Sequence, residues 1–109
     1  MQRKMYLLVL DSLSPAQQIV QAAHVTAEFV YHFDDREDVS DWLTNHQTMV
    51  VLGVNEKELG DWEYRLDRRQ IPFHTFYEPD VDKHTALAVV VDGNGAKMFR
   101  KLPMIQGDD

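Results

Sequence analysis

Apolar and polar positions fall into short blocks along this chain. Met5 to Leu10, MYLLVL, is an apolar run without polar alternation. Such a run predicts a strand covered on both faces, as in a parallel sheet. Ser14-Pro15-Ala16-Gln17 then reads as a helix start, with Ser14 at the N-cap, Pro15 at the first helical position and Gln17 closing a capping box. The spacing carries this helix to about Phe33, with Ile19, Ala23, Ala27 (or Val30) and Phe33 on the buried side. Asp34-Asp35-Arg36 ends it.

Val39, Trp42 and Leu43 predict a second, shorter amphipathic helix that stops near Asn45. Thr48 to Val54, TMVVLGV, is the next apolar strand. Asn55, followed three residues later by Glu58, is another capping-box pattern and opens a helix with a core stripe of Leu59, Trp62 and Leu66. Ile71-Pro72 closes it. Phe73 to Tyr77 predicts a strand, Glu78 to His84 a polar loop, and Thr85 to Val91 the last strand, before a turn at Asp92-Gly93-Asn94-Gly95. The tail AKMFRKLPMI fits either a strand or a packed turn. The order is strand, helix, helix, strand, helix, strand, strand. Strands alternating with helices predict an α/β fold with a mainly parallel sheet flanked by helices, in one domain spanning 1–109.

The chain has no cysteine, so thiolate chemistry and disulfides are excluded. The apolar run near the N-terminus is too short for a signal sequence or a membrane span, and a cytoplasmic protein is expected. A formal net charge of −7 argues against a surface that clings to nucleic acid throughout, but permits a local basic patch. Cations cluster at Arg65, Arg68 and Arg69, and again at Lys97, Arg100 and Lys101. The plainer reading of either cluster is an ordinary solvated face.

Gln17, Gln21, His24 and Glu28 follow one another at spacings of four, three and four, which places them on one face of the first helix, roughly opposite the apolar stripe. Most such stripes are the wet side of a helix. This one contains no Lys or Arg, and its neighbours Ala22, Ala23 and Ala27 let another segment or a ligand come close. The stretch AQQIVQAAHVTAEF resembles the first-helix signature of type-2 peptidyl-tRNA hydrolases, Gly-Lys-x-x-x-Gln-x-x-His-Ala. Gln21 and His24 match its Gln and His, while Ala16, Gln17 and Val25 stand at its Gly, Lys and Ala. HQTMVVLGVNEKEL resembles the family's Gly-Gln-x-Lys-Val-Val-Leu-Lys-Val strand, with Gln47 matching and Met49 at the Lys. EPDVDKHTALAV resembles its Asp-Ala-Gly-x-Thr segment and final strand, with Asp80 at the Asp, Thr85 at the Thr and one extra residue between.

The resemblance implies a four-stranded mixed sheet flanked by helices, often as a homodimer. It also implies a reaction, hydrolysis of the ester between a peptide and the terminal ribose of tRNA, which needs an activated water and oxyanion stabilisation but no cofactor and no metal. Within it His24 is the expected general base, because imidazole exchanges its proton near neutral pH. Asp80 would orient the imidazole or the water, and Thr85 and Gln21 would supply hydrogen bonds. Gln17, at the position of a lysine the family uses in catalysis, lacks that residue's charge. The tRNA contacts are expected at Arg65, Arg68 and Arg69, then at Lys97, Arg100 and Lys101. The alternative is a weakly active or inactive relative that serves as an RNA-binding, protein-binding or oligomerisation module. Gln17 and Met49 in place of lysines favour it.

The remaining candidates have plainer readings. Glu78, Asp80, Asp82 and His84 fit no EF-hand or zinc spacing. His32, His46 and His74 suit local hydrogen bonding, and Trp42 and Trp62 sit at core spacing on their helices.

Overall fold

The computed structural model describes residues 2–105. Strand β1, Lys4–Leu10, leads into helix α1, Pro15–Phe33. The predicted capping box closes α1: Gln17 N–H donates to Ser14 Oγ at 3.2 Å, and Ser14 N–H donates to Gln17 Oε1 at 3.1 Å. Helix α2, Glu37–Asp41, widens into a π-type turn over Trp42–His46, closed by Gln47 N–H on Trp42 C=O at 2.8 Å. Strand β2, Met49–Val54, is followed by helix α3, Glu56–Arg68, whose Asn55–Glu58 capping box also forms. Strands β3, Phe73–Glu78, and β4, Lys83–Val91, complete the sheet. A short helix α4, Gly93–Ala96, capped by the Asp92 carboxylate, follows β4 and runs into a 3₁₀ turn over Lys97–Phe99.

The four-stranded sheet has the order β2-β1-β4-β3. It is mixed, as expected, but not mainly parallel. β1 and β2 run parallel, while β4 is antiparallel to both β1 and β3. The reason lies in the connections. The long α1–α2 crossover returns the chain in the same direction, whereas β3 and β4 are joined only by Pro79 to Asp82. A parallel return needs a crossover of a dozen residues or so. The polar loop expected from Glu78 to His84 is therefore shorter, because both of its ends are absorbed into strands.

Two cores flank the sheet. Leu8, Leu10, Leu87 and Val89 pack with Leu59, Trp62 and Leu66 of α3 and with Phe99. Leu7, Val9, Ala86 and Ala88 pack with Val25 and Phe29 of α1 and with Val39 and Trp42. Both tryptophans are core residues, and Trp42 Nε1–H also donates to Thr48 C=O at 2.8 Å. The tail does both things its sequence allows. Phe99 packs on Tyr6 and Trp62 with ring centroids 4.7 and 4.8 Å away. Pro103 C=O then accepts from Gly53 N–H at 2.9 Å, and Ile105 N–H donates to Val51 C=O at 3.1 Å, covering part of the open edge of β2.

α1 presents a different face to the sheet from the one predicted. Its buried row is Gln21, Val25 and Phe29, with Ala22 and Phe33 packed beside it. Ile19 is 71% exposed, and Ala23 and Ala27 also face outward. No helix among the described residues is long and apolar enough to cross a membrane.

Candidate functional site

The start of α1 and the end of the β3–β4 hairpin enclose a cavity of about 270 Å³. Its polar lining is Gln17, Gln21, Glu78, Asp80 and Thr85, and its apolar lining is Leu13, Ala16, Val20 and Val81. Four of the five residues expected to carry the chemistry, Gln17, Gln21, Asp80 and Thr85, therefore meet at one place.

A strand irregularity explains how Thr85 gets there. Phe76 pairs with Ala86, but the next residue, Tyr77, pairs with His84, so β4 carries one extra residue at Thr85. Such a bulge re-aims side chains and bends the strand locally. Thr85, with no exposed surface, turns to α1 and donates to Gln21 Oε1 at 2.5 Å, while His84 meets Glu63 of α3 at 2.7 Å. Gln21, only 5% exposed, donates from Nε2 to Glu78 Oε1 at 3.0 Å. A buried amide is stable only when its polar ends are paired, and here a hydroxyl and a carboxylate pair them. Thr85, Gln21 and Glu78 thus form a continuous polar chain from the sheet interior to the cavity wall.

His24 does not join it. Its ring lies flat on Phe76, at a centroid distance of 4.8 Å and an interplanar angle of 6°, and it does not line the cavity. No hydrogen bond links it to Asp80 among the described residues. The expected base and its orienting carboxylate do not converge, because α1 turns His24 toward the middle of β3 while Asp80 stays in the hairpin loop beyond the strand. Farther along the same face, Glu28 accepts from His74 at 2.7 Å, and the His74 ring lies 4.7 Å from that of His32. Gln47, matched in the resemblance, closes the π-type turn in a left-handed conformation and donates to Leu43 C=O at 2.9 Å, which is a structural task.

The acidic string of the hairpin disperses. Glu78 turns to Gln21, His84 to Glu63, and the Asp82 carboxylate accepts from the Tyr77 hydroxyl. That bond holds the Tyr77 phenol above its ordinary 10.0, because the phenolate would lose it and face a carboxylate. Asp41, near the far end of the sheet, is held below its ordinary 3.8 by hydrogen bonds, first from Asn45 and then from Arg3.

The two cation clusters join each other rather than the cavity. Arg69 Nη1 approaches Met98 Sδ at 3.8 Å, and Trp62 packs on Phe99, so the end of α3 and the segment that carries Lys97, Arg100 and Lys101 lie side by side. Arg65 lies over the Trp62 ring at 4.8 Å, and Arg68 donates to the Tyr64 hydroxyl at 2.8 Å. The start of α3 is at the cavity end, where Glu56 bridges to Lys83 at 3.4 Å. At 1.5 Å per residue, the helix carries Arg65, Arg68 and Arg69 about 14–20 Å along its axis from Glu56. The expected substrate-binding cations do not border the candidate site.

Glu78 is the site residue that the sequence reading did not single out for catalysis. Its partner Gln21 is 57 positions away, and nothing local to the string EPDVDK marks the bulge that brings β4 and α1 together around it.

No family model matches the chain, and no curated protein matches it. Among solved structures, it is similar to a protein of unknown function from Agrobacterium tumefaciens strain C58, with a TM-score of 0.71 and 16% identity over 97% of this chain and 99% of that one. At this identity, the likeness shows a shared fold.

Proposed function

We propose that this protein is a cytoplasmic ester hydrolase of the peptidyl-tRNA hydrolase type, cleaving an acyl ester of a tRNA-like ribose by water activation. The observation that supports it is the meeting of Gln17, Gln21, Asp80 and Thr85 in one cavity. Glu78 and Asp80 put two carboxylates on that cavity, either of which can take a proton from a bound water. Gln21 fixes the Glu78 carboxylate, so the base keeps one orientation. The family lysine is absent. Oxyanion stabilisation falls instead to the Gln17 amide and to the positive end of the α1 dipole, which borders the cavity through Ala16 and Gln17. Losing a charged stabilising group lowers rates by roughly a hundredfold to a thousandfold, so a slow enzyme is expected.

The test is release of free tRNA from aminoacyl-tRNA, with the amine free or blocked, by wild type, Glu78→Gln, His24→Ala and Gln17→Lys. Release should fall about a hundredfold or more in Glu78→Gln, persist in His24→Ala and rise in Gln17→Lys. Absence of release by both wild type and Gln17→Lys would sink the esterase and move the function to RNA or protein binding.

A homodimer belongs to the same reading, with the outer face of α1 as its contact. Ala16, Ile19, Val20, Ala23, Ala27 and Tyr31 make that face apolar, and Glu28, the one formally charged side chain of the helix, turns inward to His74. In a chain of charge −7, an uncharged face is where two copies approach with least repulsion. Ile19→Glu should convert a sedimenting dimer to monomer; a wild type that sediments as monomer at all concentrations refutes this contact.

A further inference from the structure

The hydrogen bonds around the cavity have a fixed direction, and that direction selects a ligand. An ionised carboxylate only accepts, so the Glu78 oxygen fixes the Gln21 amide with Nε2 toward it at 3.0 Å. Gln21 Oε1 then faces Thr85, and the Thr85 proton is committed to it. What the hairpin leaves for an occupant is acceptors, the second Glu78 oxygen and the Asp80 carboxylate, while Thr85 is wholly buried and the Gln21 amide keeps one further N–H. Among the described residues, no cation lines the cavity. Lys83, at the start of β4, is held by Glu56 at 3.4 Å, and Lys57 is held by Asp61 at 2.9 Å. On the α1 side the Gln17 Oε1 is taken by Ser14 N–H, which leaves the Gln17 NH₂ as a neutral donor. Leu13, Val20 and Val81 supply an apolar wall.

We infer that the cavity takes an α-aminoacyl group with a free ammonium: the ammonium on Glu78 and Asp80, the carbonyl oxygen on the Gln17 amide, a short aliphatic side chain against Leu13, Val20 and Val81. This rests on the proposed ester chemistry only in making that carbonyl the reacting one. The three features occur together in an amino-acid ester, and blocking the amine removes the charge that a lining with two carboxylates favours. A volume of about 270 Å³ accommodates one such group. It lies just below the roughly 300–1,000 Å³ of pockets that enclose drug-sized ligands.

Calorimetric titration of the whole protein with leucinamide and with N-acetyl-leucinamide tests this without any ester present. Leucinamide should bind at least about tenfold more tightly, as expected of a charged hydrogen bond, and added salt should weaken it. Glu78→Gln and Asp80→Asn should each erode the preference; Asp80 is exposed, so its variant remains informative if Glu78→Gln fails to fold. Equal binding of the two amides, binding of neither, or a preference unchanged in Asp80→Asn and in any folded Glu78→Gln would overturn the inference. The two readings separate cleanly. Amine-selective binding without ester cleavage upholds this one and refutes the esterase. Equal cleavage of free and N-blocked aminoacyl-tRNA upholds the esterase and refutes the ammonium site.

Discussion

Phe29→Ala is expected to lower the free energy of unfolding by about 3–5 kcal/mol, while Ile19→Ala on the same helix changes it by no more than about 0.5 kcal/mol. Phe29 is 1% exposed and packs with Val25, Val39 and Trp42 against Leu7 and Val9 of the sheet, so its removal leaves a void that rigid neighbours cannot fill. Ile19 is 71% exposed and loses little when shortened. Urea unfolding of both variants, at concentrations where the protein is monomeric, decides the matter. Similar losses for the two, or a larger loss for Ile19→Ala, would contradict the orientation of α1.

That comparison also marks where the sequence stops being informative. The element order, both capping boxes, the α3 stripe of Leu59, Trp62 and Leu66, and both core tryptophans are legible, because each depends on residues within a turn or two of one another. The orientation of α1 is not. Apolar side chains surround the helix: Val25 and Phe29 on one side, Ile19, Val20, Ala23, Ala27 and Tyr31 on the other. Period alone cannot choose between two apolar stripes. The choice is made by partners distant in sequence, Thr85 and Glu78 for Gln21 and His74 for Glu28, which allow polar groups on the sheet side to be buried or paired. The direction of the sheet is hidden for a similar reason: the β3–β4 connection is four residues, but the strand ends that make it so short lie in a polar string that reads as loop. For the site, Gln21, Asp80 and Thr85 stand at their places in the resemblance, and the structure gathers them with Gln17. Thr85 reaches Gln21 through the extra residue in β4, and a one-residue offset in strand pairing leaves no trace in local composition.

The Gln21–Thr85 pair carries the second large effect, and here stability and activity should part company. Gln21→Leu removes the only described acceptor of a hydroxyl that has no exposed surface. An unpaired buried hydroxyl costs about 1–3 kcal/mol, so the single variant should unfold at correspondingly lower urea. Thr85→Val alone strands the Gln21 carbonyl and should also destabilise. The double variant replaces both members of this pair by apolar groups of similar shape, so it should recover the part of the Gln21→Leu loss that comes from the stranded hydroxyl, while the lost bond to Glu78 stays lost in both. Hydrolysis should not recover with it. Without the Gln21 amide, nothing in the buried chain fixes Glu78, and ester cleavage should remain down by about a hundredfold in both the single and the double variant. A cycle in which the losses simply add would show that the two side chains are not coupled through a buried hydrogen bond. A double variant that regains both stability and hydrolysis would show that the polar chain serves only the fold, and that the carboxylate doing the chemistry is not the one Gln21 holds.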